Sequence, residues 1–465
     1  MADKPNLLFL FTDEQRADTM AAYGNDAIRT PNLNRLADEG ICFENTYVSQ
    51  AVCTPSRSTI MTGLYPHTNG CVANNVPLSN EVPTLVERGD FDDYRTGYNG
   101  KWHLGDEVFC QHGFDEWVST EDMYRPHFGP DRDPGAPSSY HKWLVSKGIE
   151  PPDKDANGYP KFDRGTVADF PEDLSKPTFQ ADEACRFLRE NEHNPFALYV
   201  NFLEPHMPFT GPCDDVHALE EVELSGNLED PVPETDSKRM QQLREVFLGD
   251  DAPSEMQWRR LIANYWGLVH QVDKACGRIL STLEECGLKE DTIVVFTSDH
   301  GDMMGSHGLV TKCVDYEEAV RVPLIMRIPA HSRNGSVVPR PFSQVDLVPT
   351  LLDLMEQDVP TDLEGQSWRP VLGDQGAPEV EDVVIEWTDP DGRAEECRRT
   401  VVSPDGWKLI LRGNGQHQLF HLRDDPLETN NLYGEAQTGE IASDLRYRIK
   451  AWQDRTEDEF DLPPV

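Results

Sequence analysis

NLLFLFTDEQR, residues 6–16, decides the fold. Its first seven residues form a short apolar run that ends abruptly in polar ones, as a strand buried on both faces does. FALYVNFL (196–203), TIVVFTSD (292–299) and VPLIMRIP (322–329) repeat that pattern, and the stretches 182–192 and 256–286 between them carry helical spacing of apolar residues. The alternation predicts an α/β fold: a large domain with a mostly parallel central sheet flanked by helices. Ligands in such sheets bind beyond the carboxyl ends of the strands. TDEQR follows the first run, EPHMPF the second and SDHGD the third, so three polar clusters are expected to converge on one edge.

A helix over about 344–356 closes the large unit. Beyond a Pro- and Gly-rich link come DVVIEW, RRTVVS, WKLILR and HQLFHL, then a helical stretch near 439–455. These predict a small C-terminal antiparallel sheet with one helix on it. The expected division is a catalytic domain over 1–360 and a small α+β unit over 361–465. Residues 120–180 are dense in Pro, Asp and Gly, with Tyr124, His127, Tyr140, Trp143 and Tyr159 among them. So long an irregular segment reads as a lid that shapes substrate choice. With 210–255, it is expected to select the leaving group.

Composition narrows the setting. With 83 Asp and Glu against 42 Lys and Arg, the chain carries a formal charge of -41. Such a field repels nucleic acid and anionic membranes. Only 13 of the 42 basic residues are Lys, and the acids are spread along the whole chain. Together these features predict a protein of a high-salt cytoplasm, where molar salt shortens the Debye length to about 3 Å. The ten cysteines form no CxxC pair and read as reduced thiols. The first apolar run is too short for a signal h-region, and no segment approaches the roughly 18 apolar residues of a membrane helix. A cytoplasmic location is the expectation.

A hard cation needs several oxygen ligands. Asp13 and Glu14 offer them at one strand end, and Asp299 and Asp302 at another, with His300 available as a nitrogen ligand or hydrogen-bond partner. This set favours calcium, magnesium or manganese over zinc. Cys53 precedes Pro55 at the expected start of a helix running to about residue 63, and Arg57 lies one turn in. A helix N-terminus and a nearby guanidinium favour a thiolate. Three readings of Cys53 remain open on these grounds: a packed core thiol, a thiolate nucleophile, or the precursor of another group.

CTPSR (53–57) followed by STIMTGLYPHTNG resembles the sulfatase signature, and DYRTGYNGKWHLG (93–105) resembles that family's second signature. FTDEQR, PHMPF, SDHGDMMGSHGL and Lys312 fall in matching order, so the resemblance spans roughly residues 5–330. It implies a formylglycine-dependent hydrolase of the alkaline phosphatase superfamily, arylsulfatase- or choline-sulfatase-like. Cys53 would be the formylglycine precursor, matured by a formylglycine-generating enzyme. Asp13, Asp299, His300 and residue 53 would hold one divalent metal, Ca2+ first and Mg2+ or Mn2+ next, with Glu14 in a second acidic position. Two departures stand out: Glu14 replaces the usual Asp, and His300 stands where many relatives have Asn, as in choline-sulfatase-like and phosphonate-hydrolase-like members.

The implied reaction turns a sulfate monoester, a small ester or a sulfated sugar, into an alcohol and inorganic sulfate. A hydrated aldehyde at position 53 would attack sulfur, and its second hydroxyl would later drive sulfate off. Arg57, Lys101 and Lys312 would stabilise developing charge. His206 or Lys312 would protonate the leaving alcohol, and His103 would be the base. Lys101 and His103 flank Trp102, so on an extended segment they would point the same way. Arg16, His67 and His307 are expected as substrate contacts or supports of the site. The rival readings are a phosphonate monoester or phosphodiester hydrolase of the same superfamily and a non-catalytic binder of sulfated ligands.

Overall fold

The computed structural model describes residues 4–230, 253–373, 382–389 and 391–464. Part of the 210–255 segment expected to select the leaving group, residues 231–252, lies outside them. The large sheet is built from β1 (Asn6–Asp13), β2 (Ile41–Tyr47), β3 (Arg95–Gly100), β4 (Glu116–Ser119), β7 (Phe196–Pro205), β8 (Thr292–Ser298), β9 (Arg321–Arg327) and β10 (Ser336–Ser343). A separate two-stranded pair comprises β5 (Asp153–Lys154) and β6 (Pro160–Lys161). The spatial order is β10-β2-β9-β8-β1-β7-β3-β4.

The central strands are continuously apolar because both of their faces are covered. Along β1, Leu7, Phe9 and Phe11 enter one core, which the helices Cys53–Thr62 and Leu347–Leu354 roof with Ile60, Met61 and Leu351. Leu8 and Leu10 enter the opposite core, beneath the helices Pro31–Glu39, Lys176–Glu190 and Glu255–Glu285. β1 is parallel to β7 and β8, so the ends of all three open on one edge, as the sequence predicts. β9 alone runs against its neighbours, β8 and β2. The chain leaving β8 therefore stays at that edge through residues 299–320 before β9 carries it away.

β11 (Val383–Trp387), β12 (Arg398–Val402), β13 (Trp407–Arg412) and β14 (Gln418–His421) form an antiparallel sheet in sequence order. The helix Gly439–Thr456 covers one face through Leu445, Ile449 and Trp452, while Ile385, Val402 and Ile410 pack on Tyr47 and Val322 of the large unit.

Residues 120–180 contain the helices Ser139–Ser146 and Arg164–Ala168 and a small core of their own. Tyr140 and Phe162 are buried in that core and Trp143 packs against it, so Tyr140 and Trp143 serve packing. Of the five residues singled out there, Tyr124 is the one seen to reach the catalytic edge. Among the described residues no helix is long and apolar enough to cross a membrane.

Candidate active site

The helix Cys53–Thr62 begins at the edge where β7, β1 and β8 end, with Cys53 as its first residue after an extended Val52. Ser56 fastens it there: its Oγ meets the Asp299 carbonyl oxygen and lies 2.8 Å from Gln344 Oε1. The last residue of β1 is Asp13, and the turn after β8 supplies Asp299 and His300.

One ligand atom from each of Asp13, Cys53, Asp299 and His300 falls within 4.8 Å of the others, all four residues being buried. His300 Nδ1 donates to the Gly301 carbonyl oxygen at 2.9 Å. That bond turns Nε2 toward Asp13 Oδ1 (3.7 Å), Asp299 Oδ1 (3.6 Å) and Cys53 Sγ (3.3 Å). Two carboxylates and an imidazole nitrogen oriented from behind converge on one point, the arrangement of a divalent-metal site with its supporting hydrogen bond in place. The donor set fits the implied metal.

Arg57 ties this set together. Its Nη2 donates to Asp13 Oδ2 at 2.8 Å, Nε lies 2.9 Å from Asp299 Oδ2, and Nη1 donates to Asn201 Oδ1 (2.6 Å) and the Lys101 carbonyl oxygen (2.9 Å). The guanidinium thus lies against both carboxylates. Lys101 also pairs with Asp13 Oδ2. Burial pushes the Asp13 carboxyl up, but Lys101 and Arg57 outweigh it and hold the group well below the usual carboxylate range.

The helix start and the Arg57 guanidinium favour a thiolate at Cys53, but its other surroundings oppose one. Burial, with the Asp13 carboxylate beside it, pushes the thiol up to about 11 despite Lys101 and Lys312. An unmodified Cys53 is therefore a poor nucleophile at neutral pH.

Glu14 lies outside the four-residue group but forms a second possible ligand group with Asp13 and His206, their ligand atoms within 4.8 Å of one another. With φ at 72° its backbone is left-handed, and its carboxylate accepts from Lys312 Nζ at 2.7 Å and Thr311 Oγ1 at 2.8 Å. His206 Nε2 approaches the same carboxylate at 3.4 Å. Burial raises the Glu14 carboxyl to about 8 against the pull of Lys312. Burial opposes the charge on Lys312, yet the anionic groups around it carry its pKa well above the ordinary value. Burial and Lys312 hold His206 well below the usual histidine value. Asp302 lies behind, accepting from the backbone amides of Met304 and Thr311.

Lys101 and His103 do not share an extended segment. His103 has φ 58°, and its backbone amide and that of Trp102 donate to Glu107 at 2.7 and 2.8 Å. Burial and Lys101 hold the His103 ring well below the usual histidine value. Asn75 Oδ1 lies 2.9 Å from His103 Nε2, and the Tyr124 ring lies 4.3 Å from the imidazole. Arg164 donates to the Tyr124 hydroxyl at 2.9 Å and to Glu121 at 2.7 Å, and reaches His206 Nδ1 at 3.3 Å. Asn75, Glu107 and Arg164 escape sequence reasoning because no motif marks them.

Two expected substrate contacts lie elsewhere. His67 Nδ1 is 2.5 Å from Glu386 and Nε2 is 3.0 Å from the Thr456 carbonyl oxygen, so it joins the small unit to the segment after the Cys53 helix. His307 stacks on Tyr316 with ring centres 4.0 Å apart. Arg16 is bound by Asp18 and the Met303 carbonyl oxygen, and lines a cavity of about 570 Å³ with Tyr265, Trp266 and Met304. Cys53 does not line that cavity and is 2% exposed, so donor chemistry rather than cavity size identifies the site.

An α/β sheet with buried carboxylates, an imidazole and a helix-borne residue at its carboxyl edge defines a hydrolase able to use a divalent metal. The sulfatase family profile matches residues 5–357, and one for the C-terminal part of N-sulphoglucosamine sulphohydrolase matches residues 305–455. This chain belongs to the sulfatase family, sulfuric ester hydrolases of the alkaline phosphatase superfamily. It is 27% identical to the N-acetylglucosamine-6-O-sulfatase of Bacteroides thetaiotaomicron over 98% of this chain and 87% of that protein. Identity to the arylsulfatase of Clostridium perfringens is 29%, over 95% of this chain and 93% of that protein. The fold is shared with the phosphonate monoester hydrolase of Agrobacterium radiobacter: TM-score 0.80 and 22% identity, covering 98% of this chain and 97% of that one.

Proposed function

We propose that this chain hydrolyses a sulfate monoester to an alcohol and inorganic sulfate, using formylglycine made from Cys53 by a formylglycine-generating enzyme. The observation that carries the reading is the convergence of Asp13, Cys53, Asp299 and His300 ligand atoms within 4.8 Å at the start of a helix. A divalent metal held by Asp13, Asp299 and His300, Ca2+ in the first instance, would lower the pKa of a hydrated aldehyde at position 53 and so supply a nucleophile near neutral pH.

The chain's own residues divide the remaining work. Arg57 holds both metal carboxylates in register. Lys101 and Lys312 present ammonium groups to the anionic ester. Lys312, kept protonated by its anionic surroundings, or His206, which approaches the same Glu14 carboxylate at 3.4 Å, donates the proton to the leaving alcohol. His103, held below the ordinary histidine range, is unprotonated at neutral pH and accepts a proton during sulfate release. Tyr124 and Arg164 bring the 120–180 segment to the edge where the leaving group would lie.

The substrate class is a small sulfate ester or a sulfated sugar, for which the 6-O-sulfatase relative is the support. Residues 1–360 form the catalytic unit and 361–465 the small one, in an acidic protein of a saline cytoplasm. The test is turnover of a sulfate-ester panel by wild type, Cys53→Ala and His103→Asn. Loss of turnover in both variants is expected, and full activity in Cys53→Ala would refute the reading. His300 favours a second reading as a phosphonate monoester hydrolase. Faster cleavage of an aryl phosphonate than of the matching aryl sulfate would establish it instead.

A further inference from the structure

His103 is restrained on three sides. Glu107 fixes its left-handed backbone by accepting from two successive amides, Tyr124 lies against the ring, and Asn75 meets Nε2. Nδ1 is buried and has no hydrogen-bond partner among the described residues. Asn75 is itself fixed near Cys53. It has φ 67°, a conformation that Asn tolerates better than most residues. Its backbone amide donates to Thr54 Oγ1 at 3.2 Å, and that hydroxyl donates to the His103 carbonyl oxygen at 2.8 Å. The residue next to Cys53 thus holds both partners of the Asn75–His103 pair.

We propose that Asn75 is a positioning residue that locks His103 in the Nε2–H tautomer, leaving the Nδ1 lone pair as the proton acceptor; this rests on the reading of His103 as the base. Asn75 Oδ1 can only accept, so the 2.9 Å contact places the ring hydrogen on Nε2. The other tautomer would leave Nε2 and Oδ1 as two facing acceptors and bury an N–H at Nδ1 with no acceptor, a rarer and costlier state than a buried unpaired lone pair. Without Asn75 either nitrogen could carry the hydrogen, and only one arrangement serves as a base at Nδ1.

The tautomer is read directly by two-bond 15N–1H correlation in protein carrying ring-labelled histidine, with Cys53→Ala as the background so that maturation does not matter. Comparison with His103→Asn identifies the His103 signal. The expected pattern is a single Nε2–H tautomer that Asn75→Leu converts to a mixture and Asn75→Asp, still an acceptor, preserves. In matured enzyme Asn75→Leu should lower kcat about tenfold or more with little change in KM, and Asn75→Asp should recover much of it. An Nδ1–H pattern in the Asn75-containing protein, or an unchanged signal in Asn75→Leu, overturns the proposal. Undiminished turnover by matured His103→Asn would instead overturn the base assignment, a failure that the tautomer measurement keeps separate.

Discussion

Cys53 Sγ lies 3.3 Å from His300 Nε2, although 247 positions separate the two residues in the chain. The contact exists because a helix begins where β8 ends, and Ser56 ties that helix to the backbone of Asp299. It places the residue that we propose is modified against the nitrogen that would face the metal. Removing bound metal with a chelator is therefore expected to abolish ester hydrolysis, and His300→Ala or Asp299→Asn to lower metal content and rate at least tenfold. Elemental analysis alongside turnover checks this. Full activity in metal-free protein would contradict it.

Glu14 separates two accounts of the acidic pair after β1. Since its carboxylate engages Lys312 and Thr311, Glu14→Gln should retain nearly all of the metal that Asp13→Asn loses, while still slowing turnover through Lys312. Equal metal loss in both variants would return Glu14 to the metal's ligand set.

Arg57 compensates two buried carboxylates at once, and its side chain is 1% exposed. Arg57→Ala should reduce unfolding free energy by about 3–5 kcal/mol, the usual consequence of stranding a buried charge. Arg57→Lys should recover part of this, because the charge returns without the fork. Urea unfolding measures both, and a change of only about 0.5 kcal/mol would mean that the carboxylates are compensated by other groups.

His67 predicts a pH-dependent stability. Burial opposes its charge, but the Glu386 carboxylate raises it to about 9, above the roughly 6.5 of an unfolded histidine. The folded state binds the extra proton, so this contribution is complete below about pH 6.5 and disappears as pH rises through about 9. It amounts to at most about 3 kcal/mol. His67→Gln should flatten the stability profile between those pH values in urea unfolding, and an unchanged slope would refute the assignment.

β1, β7 and β8 could be read from sequence because strands buried on both faces must be apolar throughout. Direction could not be read, since an apolar run is the same in either sense, and β9 is reversed. RTGYNG of β3 escaped because Gly and Asn suppress the strand signal, although neighbouring strands pair with it on both sides. The two signature stretches marked Cys53, Lys101 and His103, whereas the state of the thiol did not follow: a helix terminus favours a thiolate, and burial, with the Asp13 carboxylate beside it, opposes one. The roles of Arg57 and Glu14 depend on contacts more than 200 positions away in the chain. Asn75 and Arg164 likewise become visible only when folding brings them to the two histidines.

The central claim is most directly tested by mass spectrometry of the peptide containing position 53, from protein produced with a formylglycine-generating enzyme, read beside sulfate-ester turnover of the same sample. The account predicts an aldehyde at that position, in a fraction that tracks specific activity. Full turnover from protein carrying only the cysteine thiol would contradict it.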